Sequence, residues 1–189
     1  MTIFMILAPY GAFATLMLVT SAAVSLFASA AICLMAMAYD AFRGRSIKML
    51  GAGSMIVFSA LGATIALVDS GLSGSAVKLT VDAGVLAISL ASLVIRQPFT
   101  LQYAREMVDA ETAQLPGFMR ANYIITWAWT GALLLMMIAN VLMIYVPGLP
   151  LWSGLVIAFA ARNSAVYFTK WYPQYRKAKH AAPANAGAL

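Results

Sequence analysis

The sequence is poor in the residues that most chemistry needs. It has one cysteine (Cys33), one histidine (His180) and six acidic residues. A single thiol forms no internal disulfide, which excludes a secreted disulfide scaffold. A lone histidine leaves no His-based metal site and no Ser-His-Asp set. Gly-rich phosphate loops and nucleophile elbows are missing as well. No Lys or Arg precedes Arg43, and the first apolar run far exceeds the roughly 7–15 residues of a signal peptide, so no cleaved leader is expected. The chain is therefore read as a non-enzyme, with no catalytic residues, no metal and no cofactor.

Charge is scarce too. Charged residues make up 10% of the chain and hydrophobic ones 63%, with a mean hydropathy of +0.87. A soluble domain carries about 25% charged residues. A domain of 189 residues cannot hide so much apolar surface from water. What the sequence does have is long apolar runs. About 20 apolar residues cross a bilayer core of roughly 30 Å. The stretch Ile3–Ala38 would make one helix of about 54 Å, too long for a single crossing. Pro9 and Gly11 are therefore taken as a break, with Ile3–Tyr10 interfacial or half-inserted. Five spans are expected, at about 15–38, 49–68, 76–95, 122–146 and 151–171. The expected fold is all-α: a polytopic membrane helical bundle forming one domain over 1–180, with a disordered tail at 181–189.

The basic residues set an orientation through the positive-inside rule. Arg43, Arg45 and Lys48 follow span one; Arg96, Arg105 and Arg120 follow span three; Lys170, Arg176, Lys177 and Lys179 follow span five. These make ten of the twelve Lys and Arg residues, and all fall on one side of a five-span bundle. That side is expected to be cytoplasmic, with the N-terminus outside and the C-terminus inside. The net charge of +6 then reads as topology and contact with anionic lipid headgroups, not as nucleic-acid binding.

Small residues recur at four-residue spacing in two spans, Ser21/Ser25/Ser29/Cys33 in the first and Ala83/Ala87/Ala91 in the third. Such stripes let helices approach closely in lipid. Asn122, Thr126 and Thr130 share a face of span four and suit interhelical hydrogen bonds. Trp127, Trp129, Trp152, Trp171, Tyr123, Tyr145 and Tyr172 cluster near expected span ends, as interfacial belts do.

Two intramembrane charges call for partners. Arg162, followed by Asn163, falls mid-way through span five, where an arginine must face protein or water. Asp82 is the one carboxylate well inside a span, four residues beyond Lys78, and Asp69 ends span two on the same outer side. One reading is a polar centre of Asp82, Arg162, Asn163 and Asn140 lining a proton or solute route. The other is internal pairing of Asp82 with Lys78 or Arg162 that locks the bundle, or an Arg162 that snorkels to the headgroups. The hydrophilic stretch Arg96–Arg120 reads as a cytoplasmic amphipathic helix, with Phe99, Tyr103 and Met107 on one face and an Arg105–Asp109 pair.

The order Arg96-Gln97-Pro98-Phe99, Leu115-Pro116, Asn122, Trp129, Ala139-Asn140, Pro147 and Lys170-Trp171-Tyr172-Pro173 resembles the inner-membrane septation protein A family (also called YciB). In that family a basic-x-Pro stretch leads to an Asn- and Trp-bearing span with a later Ala-Asn. The similarity covers roughly the C-terminal half; Arg162 has no counterpart, and the loop Leu101–Ala113 is longer and more acidic. The resemblance implies a bacterial cytoplasmic-membrane protein of envelope upkeep and septation that acts through other membrane or envelope proteins. It singles out Pro98, Trp129 and Asn140. The first expectation is thus a non-enzymatic scaffold or interaction protein, self-association included. The second is a small channel or transporter with a polar site around Asp82 and Arg162.

Overall fold

The computed structural model describes residues 2–68, 71–146, 148–149 and 151–186, with side chains for 7–68, 71–146, 148–149, 152–154 and 156–179. Asp69, Pro147 and the tail end 187–189 lie outside the described residues. The chain is 87% helical, and no strand occurs among the described residues. In order come α1 (Thr2–Val19), α2 (Ala22–Phe42), α3 (Met49–Leu67), α4 (Gly74–Val94), α5 (Phe99–Ala104), a 3-10 turn (Arg105–Met107), α6 (Ala110–Gln114), α7 (Pro116–Tyr145) and α8 (Leu151–Ala186).

Four of these, α2, α3, α4 and α7, are long and apolar enough to cross a membrane, which fits an all-α, multi-pass bundle. The expected fifth span lies within α8, which is not among the four and carries Arg162 and Asn163 midway. Helix α8 runs on to Ala186, so residues 181–186 of the expected disordered tail are helical.

The first expected span, 15–38, is corrected. Helix α1 continues through Pro9 and Gly11; the proline removes one N–H from the interior of the ladder, and the remaining bonds carry the helix through. The break comes instead at Thr20–Ser21. Ser21 adopts an extended conformation and caps α2, accepting from the Val24 N–H at 3.4 Å. Thr20 Oγ1 donates to the Leu16 carbonyl at 2.9 Å. A serine just ahead of an apolar helix is the usual N-cap signal, and it outweighs the proline here.

The chain therefore turns back on itself at residue 20, and α1 lies antiparallel to α2. Ala8 shares a small apolar cleft with Ile32, Met35, Ala36 and Tyr39, near the end of α2. Met17 sits at the opposite end, against Gly74 at the start of α4. Phe13 of α1 joins Leu26, Cys33, Phe58, Ile65, Val77, Val81, Val85 and Phe99 in the main core. The Phe58 ring is 5.9 Å from that of Tyr10 and 5.6 Å from that of Phe13. A smaller core joins Ala132 of α7 to Ala161 and Ala165 of α8. Helix α4 packs against α7 and so links the two.

The serine stripe on α2 is a packing face. Ser25, Ser29 and Cys33 are buried, and each serine donates to the carbonyl four residues back, at 2.9 and 2.7 Å. The alanine stripe on α4 is not, because Ala83, Ala87 and Ala91 face outward. Helix α4 instead buries Val77, Val81, Val85, Ser89 and Ser92. Close approach of α3 and α4 rests on two glycines in a reciprocal arrangement. A Cβ at Gly53 would fall 2.7 Å from Ile88 Cδ1, and one at Gly84 would fall 2.8 Å from Val57 Cγ1. Glycine at such contacts is what brings membrane helices together. Of the expected aromatic belt, Tyr145 and Trp152 face outward near helix ends, whereas Trp127, Trp129 and Trp171 fall mid-helix because α7 begins at Pro116 and α8 runs on to Ala186.

Candidate functional site

Of the four intramembrane candidates, the structure joins two. The Asn140 side-chain amide on α7 donates to an Asp82 carboxylate oxygen on α4. Among the described residues neither Lys78 nor Arg162 comes within ion-pair distance of Asp82, although the Lys78 ammonium stands near enough to attract that carboxylate. Helix register keeps Arg162 apart. Gly154 meets Met143 and Thr169 meets Trp129 across the α7–α8 pair. That alignment sets Arg162 about five residues, or about 7 Å, from the level of Asn140. Asn163 is exposed and donates to the Phe159 carbonyl of its own helix at 2.7 Å. The polar centre thus reduces to Asp82 and Asn140.

The positions marked by the family resemblance are structural joints. Pro98 is fully buried and ends the turn from α4 to α5. In that turn Arg96 takes a left-handed conformation (φ 59°) and the Gln97 N–H donates to the Ser92 carbonyl at 2.9 Å. Trp129 Nε1 donates to Thr169 Oγ1 at 2.9 Å and ties α7 to α8.

Between α4, α5 and α7 runs a buried polar seam. Ser89 Oγ lies 2.7 Å from Thr130 Oγ1, and Thr100 Oγ1 lies 2.7 Å from Thr126 Oγ1. Thr130 also donates to the Thr126 carbonyl at 2.8 Å, and Thr100 to the Asn122 carbonyl at 3.0 Å. With those protons committed, Ser89 donates to Thr130 and Thr126 to Thr100, so every hydroxyl has a consistent role. The Phe99 N–H donates to Ser92 Oγ at 3.2 Å, which fixes the start of α5 on the end of α4. The expected bonds of Thr126 and Thr130 are thus present, with Ser89 and Thr100 as the partners that sequence reading missed. Asn122 turns its amide back to the Phe118 carbonyl at 3.0 Å.

The end of the bundle that carries the basic loops holds a charge cluster. Lys48 is 3% exposed. Its ammonium donates to a Glu106 carboxylate oxygen and to the Ser46 carbonyl at 2.8 Å, and stands 3.5 Å from Asp40. The Tyr103 ring centroid lies 5.9 Å away. Arg45 reaches both carboxylates, at 3.7 Å from Asp40 and 3.8 Å from Glu106. Burial, then the neighbouring Tyr10 and the carboxylates Asp40 and Glu106, hold the Tyr103 phenol well above its ordinary range. The Met49 N–H donates to Gln102 Oε1 at 2.7 Å. Loop 43–48 is thereby clamped to α5 and the 3-10 turn.

The single amphipathic helix expected over 96–120 is not formed. Val108 is extended (φ −131°, ψ 162°), and Asp109 caps α6 by accepting from the Thr112 N–H at 2.7 Å and hydroxyl at 3.0 Å. Those bonds hold the Asp109 carboxyl below its ordinary range and take it from Arg105. Aspartate is a better cap than a helix-interior residue. Phe99, Thr100 and Leu101 insert into the bundle end while Met107 faces out. Beside the clamp opens a cleft of about 400 Å³ lined by Gly44, Arg45, Ser46, Ile47, Gln97, Gln102, Arg105 and Glu106. Compared with known protein families, curated proteins and solved structures, the chain has no match.

Proposed function

We propose that this chain is a non-enzymatic scaffold or interaction protein of the bacterial cytoplasmic membrane, engaged in envelope upkeep or septation. The observation that carries this is how the interior uses its polar groups. Among the described residues, every buried side-chain nitrogen or oxygen has a hydrogen-bond partner, and the seam side chains bond to one another or to nearby backbone across helices α4, α5 and α7. Such bonds hold helices together in lipid. The groups left for outside contact are the basic loops and tail and the outward aromatic and aliphatic side chains. Their partners are anionic headgroups, other membrane or envelope proteins, or a second copy of the chain. The resemblance of residues 96–173 to the septation protein A family supports the same reading.

The positive-inside rule assigns the basic end to the cytoplasm. The antiparallel packing of α1 on α2 supports an N-terminus on that same side, whereas five spans would put it outside. Asp82 and Asn140 support the second reading, a small channel or transporter, since a half-buried carboxylate in a span is a frequent mark of ion pathways. Deleting the gene in its host separates the two. Filaments, chains or leaky cells, restored by the wild-type copy, uphold the scaffold reading. Normal morphology with altered ion or solute tolerance, and flux through reconstituted protein, overturns it.

A further inference from the structure

The cleft at the basic end is built as a hydrogen-bond donor site. Gln102 has its Oε1 taken by the Met49 N–H, so the end of its amide left for a ligand is the NH2. Among the described residues, the hydrogen bond that Arg105 donates goes to Met119 Sδ, at 3.7 Å. Arg45 approaches Asp40 and Glu106 at ion-pair distances of 3.7 and 3.8 Å, beyond hydrogen-bond reach, which leaves its guanidinium donors available. The one carboxylate in the wall, Glu106, is bonded to buried Lys48. Lys48 and Arg45 balance Asp40 and Glu106, and Arg105 is left as net positive charge facing the cleft.

Two guanidiniums and an amide NH2 around one space suit an oxyanion with several acceptor oxygens. The surroundings favour an anion carried by a lipid. The cleft opens where α2 ends, α3 begins and α4 ends, three of the four helices able to cross a bilayer. Ile47 in its lining is 62% exposed, and Phe42, two residues before the lining residue Gly44, is 93% exposed, apolar surface of the kind an acyl chain covers. We propose that Arg45, Arg105 and Gln102 bind the phosphate of an anionic membrane phospholipid in this cleft. The proposal rests on the membrane reading of the chain and adds to it a defined lipid site.

Native mass spectrometry of the full chain in detergent, titrated with dioleoylphosphatidylglycerol or dioleoylphosphatidylcholine, tests it. Phosphatidylglycerol is expected to bind about tenfold tighter, and Arg105→Gln to remove about that factor. Arg43→Gln, in the same loop but outside the cleft lining, should change little. Arg105 makes no ion pair with Asp40 or Glu106 among the described residues, so its variant keeps the clamp, whereas Arg45→Gln also loosens it. Equal binding of the two lipids, or equal loss in Arg43→Gln and Arg105→Gln, overturns the site in favour of diffuse attraction. If inorganic phosphate displaces phosphatidylglycerol and itself depends on Arg105, the cleft is a free-phosphate site and the lipid assignment is overturned. Release of the wild-type chain from membranes by carbonate would instead sink the membrane reading, a separate failure.

Discussion

Lys48 and Glu106 stand 58 residues apart and share a hydrogen bond where loop 43–48 meets the 3-10 turn after α5. The contact takes a lysine nearly out of solvent, which is costly unless its charge is met. Two carboxylates and a carbonyl meet it. Removing one partner of a buried pair costs roughly 3–5 kcal/mol. The Asp40 and Glu106 side chains keep 16% and 20% of their exposure, so Lys48→Met is expected to cost less, about 2–3 kcal/mol. Adding Glu106→Gln should restore part of it, because the stranded carboxylate is gone. Unfolding of the four proteins of this cycle in detergent checks the coupling, and purely additive losses would refute the clamp.

Much of this architecture was legible from apolar run length and charge placement. Runs of apolar residues locate α3, α4 and α7, and the basic residues collect at one end as the positive-inside pattern requires. Asp40, Lys48 and Glu106 could have been paired in advance, being opposite charges in segments expected on one face. Local cap chemistry was harder to weigh. Pro9 is the visible breaker while Ser21 reads as one of a packing stripe, and Asp109 looks like a helix-face residue when it is a cap. Which face of α4 is buried was hidden because alanine suits both lipid and packing, whereas Gly53 and Gly84 show their role only once Ile88 and Val57 are seen beside them. The Asp82–Asn140 contact depends on the register between α4 and α7, which no periodicity within one helix reports.

Helix α1 makes a prediction about sidedness. Cys33 is the sole cysteine, so a Cys33→Ala background permits single-cysteine mapping. Thr2→Cys and Ser46→Cys are expected to react from the same side in inverted vesicles, and Gly71→Cys from the other. Labelling of Thr2→Cys together with Gly71→Cys would mean that α1 does not fold back along α2.

The glycine contacts predict an asymmetry on α4. Gly84→Leu drives a side chain into Val57 and should destabilise by about 1–3 kcal/mol. Ala87→Leu, three residues on and outward-facing, should stay within about 0.5 kcal/mol of wild type. Thermal unfolding in one detergent compares them directly. Equal losses would mean that α3 and α4 do not pack through Gly84.

The last prediction separates the two functional readings at Asp82. If Asp82 and Asn140 are bonded to each other and Arg162 is apart from both, Asp82→Leu with Asn140→Leu should show a coupling of about 1–2 kcal/mol in stability. Asp82→Leu with Arg162→Leu should add within about 0.5 kcal/mol. A scaffold tolerates the coupled double variant, since two leucines replace a polar pair with apolar contact and leave no stranded group. A transport site does not, because the carboxylate itself meets the moving ion, and no apolar substitute restores it. Scoring cell morphology and proteoliposome flux for the same variants therefore turns one pair of side chains into a choice between functions. Full rescue of morphology by the Asp82→Leu/Asn140→Leu protein fits a polar contact that holds α4 on α7. Loss of flux in both single variants and in the double fits a carboxylate that carries charge.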